Sequence, residues 1–240
     1  MKNKRSCLIC MESLTEYQHS QKHICMICGE ISDSYIKCDR GHFVCDRCDN
    51  LDAADFIETF CAFTPTEDPM QTAQIALRHP KIGFNTLLHH FLTAAVLLSS
   101  YYNKKKRFDI KRKKIHEARL LLDKVNFCAS PTYGICGSAV ACGVFLSLII
   151  GETPVAVKSW EMTNRITAQA QLALVELGSP RCCKRDMFLS LLEALHFLRD
   201  YLDIIITHTG IECEFHANFK DCPGNKCPFF KVEMGAKKLI

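Results

Sequence analysis

The apolar positions of the chain adopt a helical period only from Leu51 onward. There Ala53, Phe56, Ile57 and Phe60 follow one another at spacings of three and four residues, so they fall on one stripe of a helix. The residues before Leu51 are dense in cysteine instead. The sequence therefore predicts a small N-terminal module over residues 1–50 and a second domain over residues 51–240.

The same period, bounded by caps and turn-forming residues, predicts six further helices. They cover residues 70–78, 87–102, 110–125, 134–150, 162–177 and 187–202. Asp68 and Pro69 supply a cap and a first-turn proline for the first of them, and Asp186 is the predicted N-cap of the last. Two short β-branched runs then predict a hairpin, at 204–207 and 211–215. The predicted fold is mainly α, with a zinc-ribbon or RING-like N-terminal module, an all-helical domain and a short cysteine-rich C-terminal β or loop segment.

Cysteine is the one unusual feature of the composition, with 16 in 240 residues. A chain of this length buries a large core and does not need disulfides to fold. Residues 1–10 contain no apolar stretch of a secretory signal, and the longest weakly polar run, residues 135–150, is too short to span a bilayer. We therefore expect a cytoplasmic protein without a membrane segment, whose reduced thiols are metal ligands or reactive groups.

The N-terminal cysteines have the spacing of zinc ligands. Eight residues form the set, in pairs separated mostly by two residues: Cys7, Cys10, Cys25, Cys28, Cys38, His42, Cys45 and Cys48. A two-residue gap lets both thiolates of a pair reach one ion at about 2.3 Å, and eight ligands make two closed, structural sites. The sequence leaves the pairing open: either the first two pairs share one ion, or the pairs are crossed.

The run from Cys25 to Cys48 resembles the start of a RING finger, including its Cys-x3-His-x2-Cys-x2-Cys core. A RING finger has its last cysteine pair downstream, whereas here the remaining pair, Cys7 and Cys10, lies upstream. This difference argues against a ubiquitin ligase.

Cys136 is the candidate nucleophile of the helical domain. It lies in a glycine-rich turn that opens an apolar helix, where backbone N–H groups and the helix dipole would stabilise a thiolate. His89 or His90 is the candidate acid, base or metal ligand beside it, although adjacent helical residues point about 100° apart and only one can face a given site. The alternative is that all three are packing residues.

The remaining cysteines predict a second metal centre. Cys182 and Cys183 are adjacent and flanked by three cations, which should lower their pKa values. Cys213, Cys222 and Cys227 are separated by turn formers, and a cysteine followed by proline is typical of iron–sulfur ligands. Three thiols seldom close a ligand shell, and the fourth ligand could come from Cys182, Cys183, Cys128 or His216. We expect a metal ion or an iron–sulfur cluster there.

The run from Lys104 to Lys114 holds eight basic residues and one acidic residue, a net of +7 that leaves −3 for the rest of the +4 chain. Its alternatives are a solvated loop and helix start, or a patch that contacts nucleic acid in a salt-dependent way. No phosphate-loop, dinucleotide or methyl-donor fingerprint is present.

Together these motifs resemble an uncharacterised prokaryotic family found largely in anaerobes and methanogenic archaea. The likeness covers nearly the whole chain and rests on seven stretches: 25–29, 41–48, His89-His90, 133–137, 151–154, 180–185 and 227–230. Its members look like a cysteine-rich helical domain, often behind a zinc module and sometimes fused to a methyltransferase. The family has no assigned activity. The resemblance implies that the paired histidines and the vicinal cysteines belong to one site.

The leading hypothesis is a metal-binding protein with two structural zinc ions. Its second cysteine-based metal or iron–sulfur centre would serve redox, metal or sulfur chemistry, with an unknown redox or methyltransferase partner. The alternative is a non-catalytic, zinc-stabilised module that binds nucleic acid or a partner protein. Whether the chain is an enzyme stays open.

Overall fold

The computed structural model describes residues 6–125, 133–151, 157–178 and 181–230. Two antiparallel strands come first, and helices make up most of the rest. The strands are β1 (Leu14–Ile24) and β2 (Ile31–Cys38). The helices are α1 (Asp46–Asp49), α2 (Ala53–Phe63), α3 (Pro69–Leu77), α4 (Leu88–Lys104), α5 (Phe108–Asp123), α6 (Gly137–Ile150), α7 (Val157–Leu177) and α8 (Cys183–Leu202). Two 3₁₀ turns, His216–Asn218 and Gly224–Lys226, follow.

Helix α4 forms the centre of the helical part. Almost all of its side chains are buried, and it packs against α2, α3, α5, α6 and α8. Several of its polar side chains donate to neighbouring backbone; for example, the Ser99 hydroxyl donates to the Cys61 carbonyl at 2.7 Å. Cys61 is itself fully buried, as its place on the α2 stripe predicts.

Small residues let α6 approach its neighbours closely. Gly143 faces Thr167 of α7 so tightly that a methyl group there would collide with the threonine hydroxyl. The Cys142 thiol donates to the Ser138 and Ser190 carbonyls at 3.4 and 3.3 Å. The small residues of this helix thus allow close contact with both α7 and α8.

The capping predictions differ in outcome. Asp68 caps α3 as predicted, because its carboxylate accepts from the Met70 and Gln71 amides at 2.8 and 3.1 Å. The Asp186 prediction is wrong: α8 begins at Cys183, and Asp186 lies inside its first turn. The extended backbone of Cys182 starts the helix instead, with its sulfur facing the N–H groups of Lys184 and Arg185.

The C-terminal hairpin is also a wrong prediction. Residues 203–212 contain no strand, and Cys213 forms only an isolated bridge with Phe230. The segment lies along the helical body, with Ile206 buried and Thr209 donating to Asp68. Its apolar residues are therefore buried by helices rather than by a partner strand. We call residues 203–230 the C-terminal segment.

The N-terminal module rests on α2 and α3. Gly29 packs against the Phe63 ring, and the Lys81 ammonium donates to the Asn50 and Leu51 carbonyls at 3.2 and 2.8 Å. The buried apolar side chains of the module and of the helices form one continuous cluster. None of the helices in the described ranges is both long and apolar enough to cross a bilayer.

Candidate metal centres

Two groups of four ligands converge in the N-terminal module. The first tetrad is Cys7, Cys10, Cys38 and His42, and the second tetrad is Cys25, Cys28, Cys45 and Cys48. In each tetrad the ligand atoms lie within 4.8 Å of one another. The second tetrad is entirely buried. All eight residues predicted from spacing are therefore brought into two sites that could each hold a metal ion.

The pairing is crossed, and the β-hairpin explains why. Strand β1 carries the Cys7–Cys10 loop before its start and the Cys25–Cys28 loop after its end. Because β2 returns antiparallel, with Leu14 opposite Cys38, it delivers Cys38 beside the first loop. In the first tetrad the Cys10 and Cys38 sulfurs are 3.4 Å apart, and His42 Nδ1 is 3.2 Å from the Cys10 sulfur.

The chain then turns back to the second loop, where the Met26 amide donates to the Phe43 carbonyl. This contact brings the last cysteine pair beside the second, and the Cys28 and Cys45 sulfurs are 3.9 Å apart. The Cys25 sulfur accepts from the Ile27 and Cys45 amides at 3.4 Å. The sequential pairing, left open by the sequence, is excluded.

A third group of cysteines lines a single cavity between α8 and the C-terminal segment. Its thiols come from Cys182, Cys213, Cys222 and Cys227, and His216 lies in the same wall. We call this space the thiol cavity. Cys183 is not part of its lining, and Cys128 lies outside the described residues. Of the fourth ligands open from sequence, Cys182 and His216 are thus the ones that reach the other three cysteines.

The walls of the thiol cavity are aromatic. Phe84 stacks on Phe219 with 4.8 Å between ring centroids, and Phe188 lies 5.5 Å from Phe229. The His216 ring packs 4.7 Å from that of Phe230, and both of its nitrogens are buried without a hydrogen-bond partner among the described residues. The cavity therefore offers sulfur and imidazole donors within a lining that is otherwise aromatic apart from Pro223, Lys184 and Arg185.

Lys184 supplies a buried positive charge to this cavity. The side chain is 3% exposed. Its ammonium lies 4.5 Å from the Phe215 centroid and 5.1 Å from that of Phe84, and it donates to the Ile82 carbonyl at 3.3 Å. Burial lowers the pKa of Lys184 to about 8, against the opposing effect of nearby Cys182 and Cys213.

The prediction that neighbouring cations lower the thiol pKa values is wrong for the vicinal cysteines. Burial raises the pKa of Cys182 to about 11 and also raises that of Cys183. Desolvation of a thiolate outweighs the helix N-terminus and the arginines, because both sulfurs lie below the surface. Burial likewise raises the pKa of Cys136. At neutral pH these three groups are thiols unless a metal binds them.

Cys136 and the paired histidines lie at the starts of α6 and α4. The Cys136 amide donates to Gln171 at 2.8 Å, and Gly137 packs directly against the His90 ring. The His89 ring has Nδ1 3.0 Å from the Thr86 carbonyl, and burial lowers its pKa to about 3, so it is neutral. Of the two histidines, His90 is thus the one that packs against the turn that carries Cys136. This agrees with the angle of about 100° between adjacent residues of a helix.

Cys183 belongs to this second neighbourhood. Its sulfur accepts from Arg181 at 3.3 Å, and it lies close enough to Cys136 for the charge of each to affect the other. The vicinal cysteines are therefore divided: Cys182 faces the thiol cavity, and Cys183 faces the start of α6. Catalytic roles for Cys136, His89 and His90 stay predictions.

Most of the basic run is exposed, and Lys111 is its buried exception. Lys111 is 2% exposed and donates to the Thr64 carbonyl and to Asn103 at 2.9 and 2.8 Å. Three other members form ion pairs with acidic neighbours, namely Lys104 with Glu67, Arg107 with Asp109, and Lys114 with Glu117.

Sequence reasoning missed two cations that the structure places beside candidate ligands. Lys184 is one of three cations, with Arg181 and Arg185, that flank Cys182 and Cys183 in the sequence. Its position in the sequence does not indicate that its side chain is buried. Arg78, at the end of α3, bonds both Glu214 and the backbone of Ile9. No local signal could have found it, because its partners are distant in sequence.

Fold and site together define a mainly helical protein whose N-terminal module has two candidate metal-binding tetrads. The chain belongs to a family of unknown function, DUF5714, whose model matches residues 57–230. The match includes most of α2, the helices from α3 to α8 and all four cysteines of the thiol cavity, whereas α1 and the eight N-terminal ligands precede it. No curated protein and no solved structure matches the chain.

Proposed function

We propose that the thiol cavity binds an iron–sulfur cluster and that the protein is an electron-transfer protein whose N-terminal module is held together by two structural zinc ions. The observation that carries the proposal is the convergence of Cys182, Cys213, Cys222 and Cys227 on one cavity. A chance meeting of four thiols from two segments of the chain is improbable, and the other polar groups in the lining are His216, Lys184 and Arg185.

The arrangement of these thiols argues against a preformed site for a single ion. Around one tetrahedral zinc at 2.3 Å, sulfurs stand about 3.8 Å apart. In both N-terminal tetrads the ligand atoms lie within 4.8 Å of one another, whereas among the described residues the four thiols of the cavity do not all lie that close. A four-iron cluster binds each thiolate through a different iron, so it does not require one common centre for the four sulfurs.

The surroundings are those that a thiolate-bound cluster needs. Backbone N–H groups face two of the sulfurs, from Lys184 and Arg185 to Cys182 and from Phe215 and His216 to Cys213. The Lys184 ammonium offsets the negative charge of the thiolates in an apolar site. Aromatic walls exclude water, and hydrogen bonds and burial are the factors by which proteins set cluster potentials.

Electron transfer is the reaction class that this ligand set supports. Four thiolates close the shell of a four-iron cluster and leave no iron open to substrate, so the bound group would exchange single electrons with a partner. The zinc tetrads are closed in the same sense, which favours a structural role for them. A cytoplasmic location, an anaerobic or methanogenic source and a redox or methyltransferase partner remain predictions from the sequence.

The test is anaerobic reconstitution of the full chain with ferrous iron and sulfide. We expect about four iron and four sulfide per chain, beside two zinc, and absorbance near 400 nm that bleaches on reduction. Cys213→Ser and Cys222→Ser should lose the absorbance, and Cys142→Ser, which removes a buried thiol outside the cavity, should keep it.

The competing function is a binding module in which every metal is structural. It predicts two or three zinc per chain, no chromophore, and nucleic-acid affinity that falls steeply with salt through the remaining cations of the basic run. Reconstituted protein without iron in the cavity would overturn the electron-transfer proposal. Zinc bound there in place of iron would do the same.

A further inference from the structure

One arginine joins a loop of the zinc module to a loop of the thiol cavity. Arg78 caps the end of α3, and its guanidinium makes a bidentate pair with Glu214, with Nε–Oε1 at 2.6 Å and Nη2–Oε2 at 3.0 Å. Its third nitrogen, Nη1, donates to the carbonyl of Ile9. The planar fork of arginine satisfies both loops at once, which a lysine could not do.

Both partners lie directly beside candidate metal ligands. Ile9 stands between Cys7 and Cys10 of the first tetrad, and Glu214 follows Cys213 of the thiol cavity. The Arg78 side chain is 14% exposed and that of Glu214 32%, so solvent screens this pair less than a surface ion pair. The bonds therefore depend on the positions of two ligand-bearing loops.

Helix α3 and its N-cap also contact the C-terminal segment farther from the metal ligands. Gln74 donates to the Glu212 carbonyl at 3.3 Å, and Asp68 accepts from Thr209 at 2.7 Å. The segment contains no α-helix or strand between residues 203 and 230. Its loops are therefore ordered mainly by their side-chain contacts and by whatever the thiol cavity binds.

We infer that Arg78 couples the metal occupancy of the first tetrad to that of the thiol cavity. The inference rests on the proposed function, since it requires a bound group in the cavity. A metal ion in the first tetrad fixes the loop with Ile9, and a bound group in the thiol cavity fixes the loop with Glu214. Either one therefore holds one of the two partners of Arg78 in place. The loop of the other site then orders against an Arg78 side chain that is already held in place. By linkage, metal binding at either site must increase the metal affinity of the other site by the same factor.

The second tetrad provides an internal reference. Among the described residues, no hydrogen bond links Arg78 to the loops that carry Cys25, Cys28, Cys45 and Cys48. Coupling through Arg78 should thus protect the first tetrad selectively, whereas a general gain in stability would protect both.

The experiment is a chelator challenge of the zinc-loaded full chain, with and without the reconstituted cluster, under anaerobic conditions. Thiols that lose zinc are trapped with an alkylating agent, and mass spectrometry follows the peptides containing Cys7–Cys10 and Cys25–Cys28 separately. We expect the cluster to slow alkylation at Cys7 and Cys10 about fivefold and to leave Cys25 and Cys28 unchanged. In Arg78→Met the cluster should no longer slow the alkylation of Cys7 and Cys10. Arg199→Met, which removes an exposed arginine paired with Asp200, should behave as wild type.

Glu214→Gln keeps the shape of the partner and removes its charge, so it should weaken the coupling without unfolding the module. Arg78→Met would expose both tetrads if this variant fails to fold. In that case the coupling is tested by whether the cluster still slows alkylation of Cys7 and Cys10 in Glu214→Gln. A cluster that assembles but protects neither tetrad, or both equally, overturns the inference alone. Absence of iron and sulfide in wild type overturns the proposed function, and the coupling with it.

Discussion

The N-terminal module and the thiol cavity both gather cysteines, yet they do so in different ways. In the module, ligands come in close pairs within about 40 residues, and a hairpin brings the pairs together. In the cavity, one thiol starts α8 and three come from an irregular segment about 30 to 45 residues later. The module is therefore organised by local spacing, and the cavity by the packing of the whole helical domain.

This difference predicts different consequences when a ligand is lost. A closed zinc site contributes its binding free energy directly to folding, on the order of 10–16 kcal/mol in small zinc domains. The helices beside the thiol cavity pack against one another without a metal, so they should survive its loss, and only the loops of the C-terminal segment should loosen. The predictions below test this contrast, from the largest expected effect to the smallest.

Replacing Cys48, which is fully buried in the second tetrad, should unfold the module locally. For Cys48→Ser we expect bound zinc to fall from two ions to one, and the amides of residues 24–50 to lose protection from hydrogen exchange. Cys136→Ser, which alters a thiol outside both tetrads, is the control. Retention of two zinc ions in Cys48→Ser would refute the assignment of the tetrad.

The vicinal cysteines offer a matched pair for the cavity. Cys182→Ser should abolish cluster assembly, because its thiol faces the cavity, whereas Cys183→Ser should keep it, because that thiol faces Arg181. Both variants should remain helical by circular dichroism. Equal loss of the 400 nm absorbance in the two variants would contradict the division of the pair.

Close packing around His90 is a further test of how rigid the helical frame is. Gly137→Ala would push a methyl group into the His90 ring, and we expect it to cost about 1–3 kcal/mol of unfolding free energy. Gly210→Ala, where an added methyl meets nothing within 4 Å, should cost far less. Thermal unfolding of the two variants gives the comparison, and equal stability would argue against the contact.

The smallest effect concerns Lys111, whose pKa burial lowers to about 8 from an ordinary 10.5. Between pH 8 and 10.5 the Lys111 amine is protonated in the unfolded chain and largely deprotonated in the folded chain. The contribution of this group to the free energy of unfolding should therefore rise as pH increases from about 8 to 10.5. Within that range we expect the free energy of unfolding of wild type to gain up to about 1.4 kcal/mol per pH unit relative to Lys111→Met. Denaturant unfolding at several pH values measures it, and parallel pH profiles would refute it.

The same contrast explains how far the sequence could predict the structure. The eight N-terminal ligands, the helical body and the Asp68 cap follow from spacing and period, which are local properties. Crossed pairing does not, because it depends on the register that places Leu14 opposite Cys38. Cys182 could be named as a candidate fourth ligand, but its separation from Cys183 depends on where α8 starts.

Two local signals were overridden in the folded chain. Asp186 has the chemistry of a cap, yet the adjacent Arg185 takes its carboxylate, at 2.9 Å, and the helix begins earlier. Lys111 belongs to a basic run that is typical of a solvated segment, yet its ammonium donates to the carbonyl of Thr64 in the interior. Only for Lys111 does the deciding partner lie far away in the sequence.

The start of α8 on the vicinal cysteines makes the two neighbourhoods sensitive to helix register. One residue of rotation turns a side chain by about 100° around the helix axis. Starting α8 one residue earlier would make Cys182 the first helical residue and turn its thiol away from the cavity. The residue at which α8 begins therefore determines which thiol can act as a ligand as much as the cysteines themselves do.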